Sequence, residues 1–416
     1  MSEAEGKMLR NFRGKQGRFI LEAIAALMIM IFIQVHFAAA VHAEEEDEIR
    51  VDIERIIDEQ VGSDEVKSIE DRLEEYSGQE IKDIFEGYDP QSIMEDVAKG
   101  KFEFNLKGIV NKLLVYLFKE FYLNFHILIK LTVLVMLCAL LKNLQASFMS
   151  ESVGELAFYA CYIVIVSIII VSFGTALNLG TSIIDKMVDF MYATIPALIT
   201  LLVSGGNFTS GGVFQPLLIM IVEVSAIVFK NVFMPLIFLS AVLSIVNNIS
   251  DKIQVSKLAG FLRLITKWAI GLTLTIFVAV VSLQGAMGAV VDGVTAKTAK
   301  FAIGAFIPVV GSYLSDAAEA VIGCTLLIRN AAGLAVMLGV IGICLVPLLK
   351  IFALIALYRV TCALIEPIAE KRITACINDI AGSLTYILGI TAAVAFMFLI
   401  SVTAVISAGN LSVMVR

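Results

Sequence analysis

From Phe125 to its C-terminus the chain alternates between long apolar blocks and short polar breaks. The block Leu156–Leu177 carries no charge and is long enough to cross about 30 Å of hydrocarbon as a helix. Blocks of this kind predict membrane spans near 125–141, 156–177, 190–203, 213–229, 232–249, 264–286, 301–315, 320–340, 344–365 and 384–405. Two are short and contain proline, 190–203 with Pro196 and 301–315 with Pro308, and read as re-entrant or broken helices. Before residue 125 the pattern changes. Apolar residues recur there every three or four positions among charges, as in Val66, Ile69, Leu73 and Tyr76, or Leu106, Ile109, Val110, Leu113 and Leu117. That spacing predicts amphipathic helices, and Asp89-Pro90 reads as an N-cap followed by proline at the first helical position.

The predicted fold class is therefore all-α: a polytopic helical membrane protein with about 8–10 membrane segments and a small N-terminal extracytoplasmic helical region. Composition supports this. Of the 416 residues, 59% are hydrophobic and only 17% charged, against about 25% charged in soluble domains. Lipid as the solvent for much of the chain explains the excess, and a soluble globular protein is excluded on the same ground.

Charge divides the chain further. Residues 1–43 read as a signal sequence or N-terminal anchor: Lys7, Arg10, Arg13, Lys15 and Arg18 precede the apolar stretch Phe19–Phe37, and Val41-His42-Ala43 resembles a cleavage site. Either reading places residue 44 outside the cytoplasm. Residues 44–124 then hold 23 acidic and 10 basic residues and form the acidic extracytoplasmic region. Such a segment repels nucleic acid and anionic lipid. Its apolar stripes either belong to a hairpin that merely precedes the membrane or dock on a partner or the bilayer surface.

The multi-span domain covers 125–416. Lys252, Lys257 and Arg263 lie in one of its loops, Lys371 and Arg372 in another, and counting ten spans from residue 44 puts both in the cytoplasm, as the positive-inside rule requires. An internal repeat, about 190–284 and 301–405, is suggested by recurring features in one order. Ile195-Pro196, Lys230-Asn231 and Gly271 are followed by Ile307-Pro308, Arg329-Asn330 and Gly389. Matched short proline segments of this kind line substrate paths in transporters.

Little in the chain can carry catalysis. Its three histidines include His36 and His42 of the leader, leaving His126. Neither a His-based triad nor a His-rich metal site is easily built from one histidine. Gly6-Lys7, Gly14-Lys15 and Gly100-Lys101 all lack the rest of a phosphate-binding loop. Asp292-Gly293 is half of an intramembrane aspartyl site without a second aspartate motif. The six cysteines form no C-x-x-C pair and read as small buried hydrophobes. No enzyme activity, cofactor or metal is expected.

The informative residues are charges within apolar sequence: Lys130, Glu223, Lys230, Asp316, Glu319, Arg329 and Arg359. Each costs about 2.5–3.5 kcal/mol at a helix centre and should face protein or water. Glu223 with Lys230 (i, i+7) and Asp316 with Glu319 (i, i+3) share helix faces. Together with Arg329 these four form a candidate intramembrane polar path, whereas snorkelling at the interface is the plainer account of Lys130 and Lys230.

Residues 284–373 resemble a known family. The run from Gln284-Gly285 through Asp292-Gly293, Lys297 and Lys300, then Pro308, Gly311 and Asp316, then Arg329-Asn330 and Gly333, is similar to the stage III sporulation protein AE family of endospore-forming bacteria. Glu366-Pro367, followed by Glu370-Lys371-Arg372, belongs to the same resemblance. The resemblance implies a multi-pass protein of the mother-cell membrane around the engulfed forespore. It implies partners too: other membrane and ring-forming proteins of a stage III complex, a separate ATPase, and a channel or secretion-like apparatus that serves forespore development. The family supplies no established catalytic residues to transfer. A stand-alone secondary transporter or permease is the competing reading, motivated by the repeat and the buried charges.

Overall fold

A computed structural model describes residues 62–76, 89–99, 101, 105–148, 151–249, 255–306 and 311–415. The presumed leader, the stripes at 49–60 and 81–88, and Pro308 lie outside these residues. Among those described every regular element is helical.

Two short helices come first, α1 (Asp64–Tyr76) and α2 (Pro90–Ala98). Asp89 caps α2 as its sequence predicts: its carboxylate accepts the Ser92 amide at 3.2 Å, and Pro90 occupies the first turn. Long helices follow: α3 (Leu106–Phe148), α4 (Glu151–Ser204), α5 (Phe208–Val228), α6 (Met234–Ile249), α7 (Ser256–Phe306), α8 (Gly311–Ile365) and α9 (Lys371–Val415). A single π-helical turn, Phe229–Phe233, joins α5 to α6 without a break.

The ten predicted spans thus lie on fewer, longer rods. Among the described residues, six helical segments are apolar and long enough to cross a membrane. The windows 156–177 and 190–203 both belong to α4, those at 213–229 and 232–249 to α5–α6, and those at 320–340 and 344–365 to α8. The window 301–315 straddles the junction of α7 and α8. Proline did not end these helices: Pro196 lies inside α4, Pro216 inside α5 and Pro347 inside α8. A proline removes one ladder bond, and packing against neighbouring helices is enough to carry the rod past it. At Pro235 the chain uses another device. The Met234 amide bonds to the Phe229 carbonyl, one residue further back than in an α-helix, and this wider turn makes room for the ring.

In the bundle, α8 and α9 pack along each other at the centre. Helices α3 and α4 flank α8, while α7, α6 and α5 cover α9 and one another. The core is continuous, running from Ile69 and Leu73 through Phe190, Phe229 and Tyr358 to Phe398. The amphipathic stretch 106–118 is the first part of α3 and continues without interruption into the first span.

Helix α1 settles one open question about the acidic region. Its stripe neither stands free nor awaits a partner: Val66, Ile69 and Leu73 are buried against α4 and α8, and the Tyr76 ring meets Phe190 edge-on at 5.6 Å. A 13-residue helix of this composition does not hold alone in water, so the docking is what forms it. Its outer face keeps the acidic surface, where partial burial, then Asp89, Glu74 and Asp71, raise Glu70 above the usual carboxylate range against the opposing pull of Lys67. Leu73→Ala removes a fully buried anchor, a loss of about 2–5 kcal/mol. Trypsin is expected to cut at Arg72 at least tenfold faster in that variant than in the parent protein; equal rates would show that α1 does not depend on this face.

Candidate functional site

Two charged residues, Asp292 and Arg329, are buried at the end of the bundle that carries the α4–α5 turn. Helix α4 stops at Ser204 in a Schellman arrangement: the Gly206 amide bonds to the Val203 carbonyl and the Asn207 amide to the Leu202 carbonyl. Gly206 has φ 83°, a left-handed conformation that favours glycine. Helix α5 then begins at once, and the Asn207 side chain makes no cap bond to it. The acceptor comes from another helix. Asp292 of α7, 2% exposed, takes the Ser210 amide hydrogen at 2.8 Å. A carboxylate at a helix N-terminus meets both a free amide and the positive end of the helix dipole, which lets a buried charge be tolerated there.

Arg329 of α8 is the larger buried charge, at 1% exposure. Its Nη2 donates to the Ile406 carbonyl of α9 at 3.2 Å. One turn along α8, Gly333 faces the same residue: a Cβ there would lie 2.3 Å from Ile406 Cδ1 and 2.5 Å from Cγ1. Arg329 therefore holds the Ile406 backbone while Gly333 leaves room for its side chain. Gly205 and Asn207 of the α4–α5 turn and Thr325 border the guanidinium region in a tightly packed niche.

A second polar cluster lies toward the opposite, basic end. Arg263 of α7 pairs with Asp379 of α9 at 3.6 Å and donates to Ser240 at 3.0 Å, Ser244 at 2.6 Å and Ser383 at 3.3 Å. Asn247 caps α7 by accepting the Val255 and Ser256 amides at 3.1 and 2.9 Å. Nearby, Arg359 of α8 donates to Asn378 of α9. Tyr162 of α4 donates to the Ile245 carbonyl at 3.2 Å.

The chain matches the family described as Stage III sporulation protein AE over residues 88–409. It belongs to the stage III sporulation protein AE family. The stage III sporulation protein AE of Bacillus subtilis (strain 168) is 37% identical to it over 325 residues, 78% of this chain and 81% of that protein. No solved structure matches. The match begins just ahead of α2 and takes in both polar clusters, whereas α1 lies outside it.

Placed on this member of the family, the motif residues separate into groups. Gln284, Asp292 and Gly293 are buried on α7, with Gly285 half-buried beside them, and Arg329, Asn330 and Gly333 form one turn of α8 with Asn330 half-buried. Lys297 is exposed, and so are Glu366 and Pro367 in the α8–α9 turn. Gly311 opens α8. The side chains of Lys300, Asp316 and Glu319 lie outside the described residues.

Of the candidate polar path, the side chains of Glu223, Lys230 and Arg329 are described, and these three do not converge. Lys230 pairs with Asp185 of α4 at 2.5 and 2.7 Å rather than with Glu223, and Glu223 accepts from the Tyr192 hydroxyl. Both side chains turn to α4, where Tyr192 and Asp185 are likewise seven residues apart, so the i, i+7 pair keeps its shared face while each member takes its own partner. Arg329 sits apart from both, between α8 and α9. Along their rods Lys230 lies about five turns before the end at Ile249, and Arg329 about ten turns before Ile365.

Sequence reading missed the Arg263–Asp379 cluster, having treated Arg263 only as a loop charge. Its signal was present in Ser240, Ser244 and Asn248, small polar residues four apart in an apolar helix. Among the described residues no three potential metal ligands gather. What the buried groups do here is join helices: a carboxylate caps one, a guanidinium grips another, and a serine-rich pocket holds a third.

Proposed function

We propose that this sporulation membrane protein is a non-enzymatic component of a channel or secretion-like complex between mother cell and forespore. It sits in the mother-cell membrane around the forespore beside other membrane and ring-forming proteins and a separate ATPase. The observation that carries the reading is how the family's motif charges are employed: Asp292 and Arg329 are buried in helix-to-helix bonds, a use that suits a rigid platform.

In this reading the basic end of the bundle, with Lys257, Arg263, Lys371 and Arg372, faces the cytoplasm. Six crossings keep the parity of ten, so residues 44–124, the α4–α5 turn and the C-terminus face the intermembrane space. The docking of α1 on Phe190, nearer the α4–α5 turn than the start of α4, agrees with that orientation. Affinity purification of the full-length chain from sporulating membranes in mild detergent is expected to bring down ring-forming proteins and an ATPase. Recovery of this chain alone would overturn the proposal.

A further inference from the structure

The outward face of α7 is apolar over a greater length than a bilayer is thick. Exposed apolar side chains follow one another along it from Leu258 through Phe261, Trp268, Ile276 and Leu283 to Val294, and Phe301 ends the row beyond the exposed Thr295, Lys297 and Thr298. At 1.5 Å per residue the row is about 65 Å long. The hydrocarbon core is about 30 Å thick, and about 40–45 Å with its headgroup regions. Even a tilt of about 40°, the upper end of the range for membrane helices, leaves the row about 50 Å tall. Part of it clears the membrane wherever the bilayer is placed. Contiguous apolar surface in water marks an interaction site, and Phe301, at 79% exposure, stands at the far end of the row.

We propose that a second copy of this chain covers the row, α7 against α7, about a two-fold axis along the membrane normal. Length argues for a copy rather than a small partner. A single-span protein offers about 20 apolar residues, whereas a second α7 offers the same 51-residue helix, inserted in the same direction and matched in depth. Area agrees: a face about 65 Å long and about 10 Å wide removes roughly 650 Å² from each copy, or about 1,300 Å² in all, within the range of specific interfaces. Lys297, exposed near the end of the row, would meet its counterpart, and its long stem carries the ammonium group outward to water. The inference does not rest on the channel reading.

The test is oxidative cross-linking of Ile276→Cys and Val294→Cys, separately, in the full-length chain in native membranes with copper phenanthroline. Both variants are expected to give a species of twice the 45.1 kDa chain mass. The parent protein with its own six cysteines should not, nor should Val115→Cys on α3, where the side chain is 63% exposed. Leu283→Cys replaces either variant that fails to accumulate. Monomer alone from the α7 variants, a cross-linked species of another mass, or an equal homodimer yield from Val115→Cys would overturn the proposal.

Discussion

Gly333→Ala is expected to destabilise this protein by about 1–3 kcal/mol, and the same change in an Ile406→Ala background to be neutral or stabilising by up to about 1 kcal/mol. The reversal follows from two opposing effects. Alanine is the better helix former, so in open space the substitution helps α8. In the native bundle, however, the added methyl would lie 2.3 Å from Ile406 Cδ1, and the isoleucine must leave its rotamer or push α9 away. Displacing α9 also loosens the bond from Arg329 to the Ile406 carbonyl, already 3.2 Å long and made by an arginine that is 1% exposed. Truncating Ile406 creates the space without moving the backbone. Thermal unfolding in detergent of the two single variants and the double variant measures the coupling. Equal costs of Gly333→Ala in both backgrounds would show that the close approach of α8 and α9 at this point does not matter.

Asp292→Ala should have an effect of similar size by a different route. It leaves the buried Ser210 amide without the acceptor it has at 2.8 Å and removes the charge that complements the start of α5. A buried donor without a partner costs about 1–3 kcal/mol. Asp292→Asn keeps an acceptor oxygen in place, so its loss should be less than half as large. Protein level in sporulating cells, read beside spore yield, separates capping from proton-carrying chemistry. Capping predicts that Asp292→Asn supports near-normal spore yield at near-normal protein level, while Asp292→Ala lowers both together. Normal accumulation of the Asn variant with no spores would instead give the carboxylate a chemical task.

Both positions belong to the run by which the sequence resembles its family, and there the sequence was informative about where to look. What it suggested about their use was different. Asp292-Gly293 read as half of an aspartyl site with no second aspartate to complete it, and Arg329 as one member of a polar path. The partners that redefine them are 82 and 77 residues away along the chain. Nothing in local spacing connects Asp292 to the first turn of α5 or Arg329 to a backbone carbonyl of α9. A backbone acceptor leaves no trace in residue type at all, which is why Ile406 was invisible. The Lys230–Asp185 pair escaped for a related reason: Asp185 lies 45 residues away on α4, and spacing within α5 does not reach it.

What the sequence determined by itself is the solvent and the class. Blocks of uncharged apolar residues demand lipid and internally satisfied backbone, and in this composition that means helices. Periodicity was sufficient where one face meets water, so the stripe of α1 and the Asp89-Pro90 start of α2 were both legible. Within the membrane domain that signal vanishes, because a lipid-facing side chain is as apolar as a core one. Ten spans or six, which prolines end a helix, and which charges meet were decided only by tertiary packing, since the free energy that settles them lies in contacts between rods and not within any one of them.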